Sequence, residues 1–153
     1  MGDLGPMRVL EESLKGAPII WKGDYPYFIH PISDGIPRMD PEVLKAVSTL
    51  IVESTSWEGV DLIASVEAMG LPLLAAVGDA TGIPTVVIRK RSYGMEGEVA
   101  VDVSTGYSSS TIYINDVMPG ERIVIVDDVI STGGPLEPLL EKLEEMGVIL
   151  HDV

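Results

Sequence analysis

Hydrophobic residues recur at helical spacing in four segments of the chain. The first, residues 7–15, is a short amphipathic pattern that predicts a helix. In the second, an aspartate and a proline precede apolar residues spaced three and four apart, which is typical of a helix start and predicts a helix over Pro41–Glu53. Two further helices are predicted over residues 71–82 and 139–147.

Short apolar runs lie between these helices and predict strands. One ends near Val66, the next covers Thr85–Ile88, and residues 121–128 and 148–153 supply two more. The third run is almost continuously apolar, as in strands that are covered on both faces of a parallel sheet. The order strand, turn, helix, strand implies a right-handed parallel crossover. We therefore expect an α/β fold with an open, mainly parallel sheet flanked by helices.

Two segments interrupt this alternation of strands and helices. Residues 17–40 are dense in glycine and proline and are predicted to be loop with short strands, and an irregular segment of this length is often functional. Residues 92–115 are polar and glycine-rich and close with the alternating sequence TIYIN, which predicts a ribbon strand. We expect this second segment to leave the sheet as a flexible arm.

Ligands of open parallel sheets bind at the carboxyl ends of the strands. Three predicted turns meet there, at residues 67–70, 89–91 and 127–135. The last begins with Asp127 and Asp128, and because neighbouring strand residues point to opposite faces, both carboxylates cannot enter the core without heavy desolvation. Taken alone, the pair is equally compatible with a role in bracing the loop.

The four residues Ser131, Thr132, Gly133 and Gly134 shift this balance towards function. They would expose backbone N–H groups and two hydroxyls at a helix N-terminus, an arrangement that binds phosphate. The chain contains neither the P-loop sequence nor the glycine pattern of dinucleotide-binding folds. Hydrolysis of nucleoside triphosphates and dinucleotide binding are therefore disfavoured.

Composition narrows the classes further. The 153 residues fit one domain, 1–153, and the net charge of −14, from 24 acidic and 10 basic residues, argues against sequence-independent nucleic-acid binding. The absence of cysteine excludes disulfides and cysteine-based zinc sites. No apolar run is long enough to span a membrane, and the N-terminus does not resemble a secretory signal. We expect a cytoplasmic protein with no membrane or nucleic-acid partner.

One stretch, RIVIVDDVISTGG at residues 122–134, resembles the phosphoribosyl-pyrophosphate motif of the type I phosphoribosyltransferases. Another, VEAMGLPLL at residues 66–74, resembles their pyrophosphate loop, and VIRKRSYGMEGEV resembles their basic strand end and flexible catalytic arm, about residues 92–115. The sequence YFIHPISDGIP is similar to the base-covering hood of the archaeal hypoxanthine/guanine group, about residues 17–40. The resemblance covers nearly the whole chain in the family's order.

This resemblance implies a role for most residues of the three turns. The acidic pair would bind the ribose hydroxyls, the loop after it the 5′-phosphate, and the turn after the first strand the pyrophosphate. In that order they are Asp127 and Asp128; Ser131, Thr132, Gly133 and Gly134; and Ala68, Met69 and Gly70. The cofactor Mg²⁺ would be held through the substrate rather than by the protein. Tyr107 of the arm and the two aspartates would be the catalytic set, and the family suggests a homodimer.

Three of the ten basic residues, Arg89, Lys90 and Arg91, follow one another at a predicted strand end. A charge run of this kind is usually a solvated strand end. Because it lies beside the implied pyrophosphate loop, we favour neutralisation of pyrophosphate by at least Lys90 or Arg91.

The two histidines and the two tryptophans are weaker candidates for a functional role. His30 and His151 lack the spacing of metal ligands, so we expect structural roles for both. Trp21 and Trp57 could stack a base, yet ordinary packing is the better interpretation.

The implied reaction transfers the phosphoribosyl group from phosphoribosyl pyrophosphate to hypoxanthine or guanine, with adenine as the alternative base. A non-catalytic sensor of phosphoribosyl pyrophosphate or a purine nucleotide is the alternative function. The chain departs from the family at several places: Gly106 replaces a glutamate before Tyr107, Ser131 an aspartate near the base, and Pro135 a threonine of the phosphate loop. Relatives also usually continue beyond VILHDV. Because of Pro138, we expect the last helix to begin near that residue, which would lengthen the loop after Gly134.

Overall fold

The computed structural model describes residues 5–105, 108–130, 133 and 136–153. In chain order the helices are α1 (Pro6–Lys15), α2 (Pro31–Asp34), α3 (Pro41–Ser54), α4 (Gly70–Thr81) and α5 (Leu136–Glu145). The strands are β1 (Ile19–Lys22), β2 (Tyr25–Phe28), β3 (Leu62–Val66), β4 (Thr85–Ile88), β5 (Val99–Thr105), β6 (Ser108–Ile114), β7 (Arg122–Ile125) and β8 (Ile149–Asp152).

Four strands form the central sheet in the order β4, β3, β7, β8, and every neighbouring pair is parallel. Successive residues of β3 and β7 point to opposite faces, so each strand contributes to two hydrophobic cores. Ala64 and Ile123 pack with α5 and the ribbon of β5 and β6, whereas Ile63 and Val124 pack with α3 and α4. This arrangement confirms the predicted α/β fold with a parallel sheet covered on both faces.

The last helix begins earlier than expected. Leu136 and Glu137 donate their N–H groups to the Gly133 carbonyl at 3.1 and 3.2 Å, and Leu136 is the first helical residue. The prediction of a start near Pro138 is therefore wrong. Proline is tolerated there because the first N–H groups of a helix have no intrahelical partner to lose.

A two-stranded antiparallel hairpin of β1 and β2 lies in the glycine- and proline-rich N-terminal segment. All four residues of β1 are exposed, and Trp21 is 68% exposed, so the prediction that this tryptophan packs in the interior is wrong. A hairpin outside the main sheet has no layer above it to bury its side chains. Trp57, by contrast, packs against the core beside α3 and donates its Nε1–H to the Val52 carbonyl at 2.9 Å.

Strands β5 and β6 form a second antiparallel ribbon, as the TIYIN pattern predicts. It joins the sheet through one bridge, in which Arg89 and Tyr113 exchange backbone hydrogen bonds of 3.1 and 2.7 Å. The bridge places the root of the ribbon beside the carboxyl end of β4. Within the described residues, no helix has both the length and the apolar character that crossing a membrane requires.

Candidate active site

A cavity of about 560 Å³ opens at the carboxyl ends of the parallel strands. Residues from all three predicted turns, from the ribbon and from the N-terminal segment line it. Its walls include Tyr27, Ser33, Glu67, Ala68, Met69, Lys90, Val103, Ser110, Ile112, Asp127, Asp128, Val129, Leu136 and Leu139. The fold thus brings together Ala68, Met69, Lys90 and the aspartate pair, which are far apart in sequence.

The turn after β3 approaches the sheet closely. Its Glu67–Ala68 peptide bond is cis, and the turn ends at Gly70, the first residue of α4. A β-carbon on Gly70 would lie 2.1 Å from Ser65 Oγ and 3.3 Å from Asp127 Oδ1. Glycine is therefore needed for the N-terminus of α4 to lie against the strand ends, next to the first aspartate.

Glu67 connects two of the turns, a role that the sequence did not indicate. Its Oε1 accepts the Lys90 N–H at 2.7 Å, and its Oε2 lies 2.8 Å from Arg89 Nε. The hydrogen bond from Lys90 holds the pKa of Glu67 below its ordinary value, and the nearby Arg89 acts in the same direction. The ionised carboxylate therefore fixes the turn after β3 to the turn after β4.

The three consecutive basic residues have different surroundings. Lys90 lines the cavity, as expected of a group that neutralises pyrophosphate. Arg89 pairs with Glu67 instead, and Arg91 donates from Nε and Nη2 to the Tyr93 hydroxyl at 3.1 and 2.9 Å. Of these three residues, only Lys90 lies in the wall of the cavity.

The two aspartates follow β7 and differ in exposure. Asp127 is exposed, whereas Asp128 is half-buried and donates its backbone N–H to Asp127 Oδ1 at 2.9 Å. Burial, followed by the hydrogen bond and negative charge of Asp127, raises the pKa of Asp128 to about 7. The two side chains present several carboxylate oxygens to the cavity.

Comparison with known proteins identifies the family of the chain that forms this cavity. Residues 40–150 match the model of the phosphoribosyl transferase domain. The chain belongs to the phosphoribosyltransferase family. It is 50% identical over 147 residues to the hypoxanthine/guanine phosphoribosyltransferase of Methanohalophilus mahii, a match that spans 96% of this chain and 77% of the relative. The protein of the same name from Ferroglobus placidus is 50% identical over 146 residues, which is 95% of this chain and 78% of the relative.

Solved structures with lower sequence identity share the phosphoribosyltransferase fold. The adenine phosphoribosyltransferase of Thermoanaerobacter pseudethanolicus superposes with a TM-score of 0.76 at 24% identity, covering 92% of this chain and 83% of that one. The Saccharomyces cerevisiae adenine enzyme gives a TM-score of 0.75 at 20% identity, with the same shares covered. At these identities the likeness concerns the fold alone.

The N-terminal segment contributes two side chains to the wall of the phosphoribosyltransferase cavity. Tyr27 and Ser33 line it. His30 is only 3% exposed; its Nδ1 accepts the Ile32 N–H at 3.2 Å, and its Nε2 lies 3.1 Å from Ser13 Oγ. These contacts fix a neutral imidazole with its proton on Nε2, and burial lowers the pKa of His30. As predicted, His30 has a structural role, joining the segment to α1.

The second histidine lies on β8, the edge strand of the sheet. His151 Nε2 is 2.7 Å from the Ser56 carbonyl oxygen, and its Nδ1 is 3.3 Å from Arg122 Nη1. These contacts brace β8 against the loop after α3, which is the structural role expected of this residue.

Several residues implied by the family resemblance lie outside the described part of the chain. They are Tyr107, Ser131, Thr132, Gly134 and Pro135. Gly133 of the phosphate loop is described and has a φ of 76°, a left-handed conformation that favours glycine. Its carbonyl oxygen accepts the first N–H groups of α5, so the loop leads directly into that helix. Within the described ranges, no group of three or more acidic or histidine side chains is arranged to hold a metal ion.

Proposed function

We propose that this protein transfers the 5-phosphoribosyl group from phosphoribosyl pyrophosphate to hypoxanthine or guanine, giving IMP or GMP and pyrophosphate. The observation that carries the proposal is the cavity itself, in which the aspartate pair, Ala68, Met69 and Lys90 converge at the strand ends. The choice of base follows the names of the relatives that are about half identical over nearly the whole chain.

Each part of the substrate has complementary groups in this arrangement. Carboxylate oxygens of Asp127 and Asp128 accept hydrogen bonds from vicinal ribose hydroxyls. The loop around Gly133 leads into α5, and the dipole at the N-terminus of that helix favours the 5′-phosphate. Backbone groups at Ala68 and Met69, together with the Lys90 ammonium, lie where the pyrophosphate would bind.

The proposed reaction breaks the bond between the sugar C1 and a pyrophosphate oxygen and forms one between C1 and a purine nitrogen, and the proton of the purine passes to the departing pyrophosphate or to solvent. Positive charge develops on the sugar while negative charge accumulates on the leaving group, so Lys90 stabilises the departing pyrophosphate. Mg²⁺ suits this site because it prefers carboxylate and phosphate oxygens, and it would neutralise further negative charge on the pyrophosphate. Exclusion of water protects the reactive sugar from hydrolysis, and we assign this role to the arm that carries Tyr107.

The electrostatics of the site agree with substrate binding. Asp128 has a pKa of about 7 because it is partly buried beside Asp127. Hydroxyl groups that donate to the pair, or a cation that accompanies the pyrophosphate, would stabilise the ionised form. Binding of the substrate is therefore expected to release protons from a protein held near neutral pH, which calorimetry in buffers of different ionisation enthalpy measures.

Turnover with separate bases tests the function. The protein is incubated with Mg²⁺, phosphoribosyl pyrophosphate and either hypoxanthine, guanine or adenine, and nucleotide is measured. We expect IMP and GMP but little AMP. Product with adenine alone would overturn the base assignment, and tight binding of the sugar pyrophosphate or a nucleotide without product would favour a sensor instead.

Substitution of the aspartates tests the site. We expect Asp127→Asn and Asp128→Asn each to lower kcat/KM by about 100-fold, since each removes a charged acceptor of a hydroxyl. Asp79→Asn is the matched control, because Asp79 is exposed on α4 away from the cavity. Unchanged kcat/KM in both site variants would refute the assignment. The homodimer suggested by the family and the cytoplasmic location expected from the sequence remain predictions, the first of which sedimentation measures directly.

A further inference from the structure

The segment between β4 and β5 is organised around one carboxylate, that of Glu98. Ser92 donates its hydroxyl to Glu98 Oε1, and Tyr93 donates its N–H to Oε2 at 2.9 Å. Gly94 donates its N–H to Oε1 at 3.4 Å, and Asn115 donates from Nδ2 to Oε2 at 3.0 Å. Led by the Ser92 hydroxyl, these donors lower the pKa of Glu98 to about 2. The side chain is therefore ionised and fully engaged at every physiological pH.

The ring of Tyr93, whose backbone N–H bonds Glu98, lies close to two arginines. The Arg91 guanidinium carbon is 5.0 Å from the ring centroid, and two of its nitrogens bond the Tyr93 hydroxyl. The Arg89 guanidinium carbon is 5.3 Å from the same centroid. At these distances a cation is attracted by the ring face, so one tyrosine restrains both guanidinium groups.

The same carboxylate ties this segment to the sheet. Asn115 directly follows β6, and Tyr113 of β6 forms the backbone bridge with Arg89. The contacts therefore close a circuit that runs from Arg89 across the bridge to Asn115, then through Glu98 and Tyr93 back to the Arg89 side chain. A closed circuit of this kind holds its members in one arrangement, although most of them are exposed.

We propose that Glu98 is a positioning residue for the pyrophosphate end of the substrate, acting through Tyr93 on the two arginines. The inference rests on the proposed function, because it assigns a role within the same site. Restraint of the side chains around a site before the ligand binds reduces the entropic cost of association. It also fixes Arg89 against Glu67, and Glu67 in turn holds Lys90 at the cavity wall.

The negative charge of Glu98 allows a positioning role to be distinguished from a direct electrostatic effect on the ligand. A carboxylate near a site for pyrophosphate repels the ligand, so a residue that acted only through its charge would weaken binding. Glu98 is expected to strengthen binding instead, because it anchors the segment that carries Tyr93, and the Tyr93 ring contacts both arginines. Glu98→Gln separates the two effects: it removes the negative charge, and it also places an NH₂ group against the donors, which disrupts the circuit.

Calorimetric titration of three probes tests the proposal. For the Glu98→Gln variant, we expect the Kd of Mg²⁺-phosphoribosyl pyrophosphate and that of Mg²⁺-pyrophosphate to be roughly tenfold higher than for the wild type. The Kd of GMP, which has no pyrophosphate, is expected to stay within about twofold of the wild-type value. Glu96→Gln is the matched control, because Glu96 is exposed in the same segment and the same charge is removed. It is expected to bind all three probes as the wild type does.

Tyr93→Phe provides a second route should Glu98→Gln not fold, which thermal unfolding reveals. It keeps the ring and removes only the hydroxyl that accepts hydrogen bonds from Arg91. We therefore expect the Kd of both pyrophosphate probes to rise by about threefold. Unchanged binding of pyrophosphate by the folded variants, or equal weakening of GMP, would overturn the positioning role. If the wild type binds none of the three probes, the proposed function fails, and this inference fails with it.

Discussion

Gly70 lies directly against the hydroxyl of Ser65, close enough that a β-carbon at position 70 would be 2.1 Å from Ser65 Oγ. Ser65 is fully buried, and within the described residues its Oγ has no hydrogen-bond partner. The close contact therefore reflects packing of the first residue of α4 onto the end of β3. It also places the helix N-terminus beside Asp127, so the packing of these two small residues shapes the candidate active site.

We expect Gly70→Ala to destabilise the protein by about 1–3 kcal/mol, the usual cost of overpacking a core. In an open helix the same change is favourable by about 0.5–1 kcal/mol, so the sign of the effect reports the clash. Ser65→Ala in the same chain removes the clashing oxygen and is expected to recover most of the loss. The free energy of unfolding from urea titration measures both.

Gly16→Ala is the control for this experiment. Gly16 has a φ of −93°, and a β-carbon there would meet no heavy atom within 4 Å. It should change the free energy of unfolding by less than about 0.5 kcal/mol. Equal stability of the Gly70→Ala variant and the wild type would show that the contact with Ser65 is not close in solution.

Glu67 allows the geometry of the pyrophosphate turn to be separated from its charge. Glu67→Gln keeps an oxygen that can accept the Lys90 N–H but loses the charge that pairs with Arg89. We expect it to bind pyrophosphate at least as tightly as the wild type, since a negative charge near the anion is gone. Glu67→Ala loses the acceptor as well, and we expect roughly tenfold weaker binding. Equal affinities of the two variants would contradict a role in joining the turns.

Much of the fold could be predicted because each element carries its own periodic signal. The apolar run before Asp127 predicts a strand covered on both faces, and its alternate residues do enter two separate cores. The start of α5 was misjudged because the sequence does not tell whether Pro138 begins a helix or occupies its first turn. In the structure, the bonds to the Gly133 carbonyl settle that question.

The site could be predicted only where a motif is continuous in sequence. Asp127 and Asp128 belong to one stretch, and the turn containing Ala68 to another, so both are predicted from the sequence alone. Glu67 and Glu98 are not predicted, because a lone glutamate carries no local pattern and the partners that join them to other elements, Lys90 and Asn115, lie 23 and 17 residues away. Such roles depend on which turns the fold brings together.

His30 is expected to make the stability of the protein fall in weak acid. It is buried, and its Nδ1 accepts the Ile32 N–H, so protonation would break that bond and leave a buried charge. Burial lowers the pKa of the folded state, and the negative charge of Asp34 opposes this only in part. The unfolded chain therefore binds the proton more tightly, and stability present above the unfolded pKa of about 6.5 is lost as the pH falls below it.

His30→Gln removes this titration. Between pH 8 and pH 5.5, the wild type should lose more of its free energy of unfolding than the variant does. Urea titrations at the two pH values measure the difference. Parallel pH profiles for the two proteins would mean that His30 stays accessible to protons in the folded state.

Asp128 is expected to have the opposite dependence on pH. Its pKa is raised from 3.8 to about 7 in the folded state, first by burial and then by Asp127, so the folded protein binds the proton more tightly than the unfolded chain. Stability is therefore fully present below about pH 4 and declines as the pH rises towards 7. Asp128→Asn removes the charge, and we expect it to stabilise the protein at pH 8 by roughly 1 kcal/mol after allowance for solvent screening.

At pH 4.5 the same substitution should be nearly neutral, because the wild-type carboxyl is then already protonated in the fold. Asp79→Asn, an equal change of charge on an exposed part of α4, should show no such difference between the two pH values. A variant that gains stability at pH 8 while losing turnover would show that the carboxylate is retained for substrate binding at the expense of the fold. A stability loss at pH 8 would instead mean that Asp128 braces its loop, and the interpretation of the pair as a ribose site would then rest on Asp127 alone.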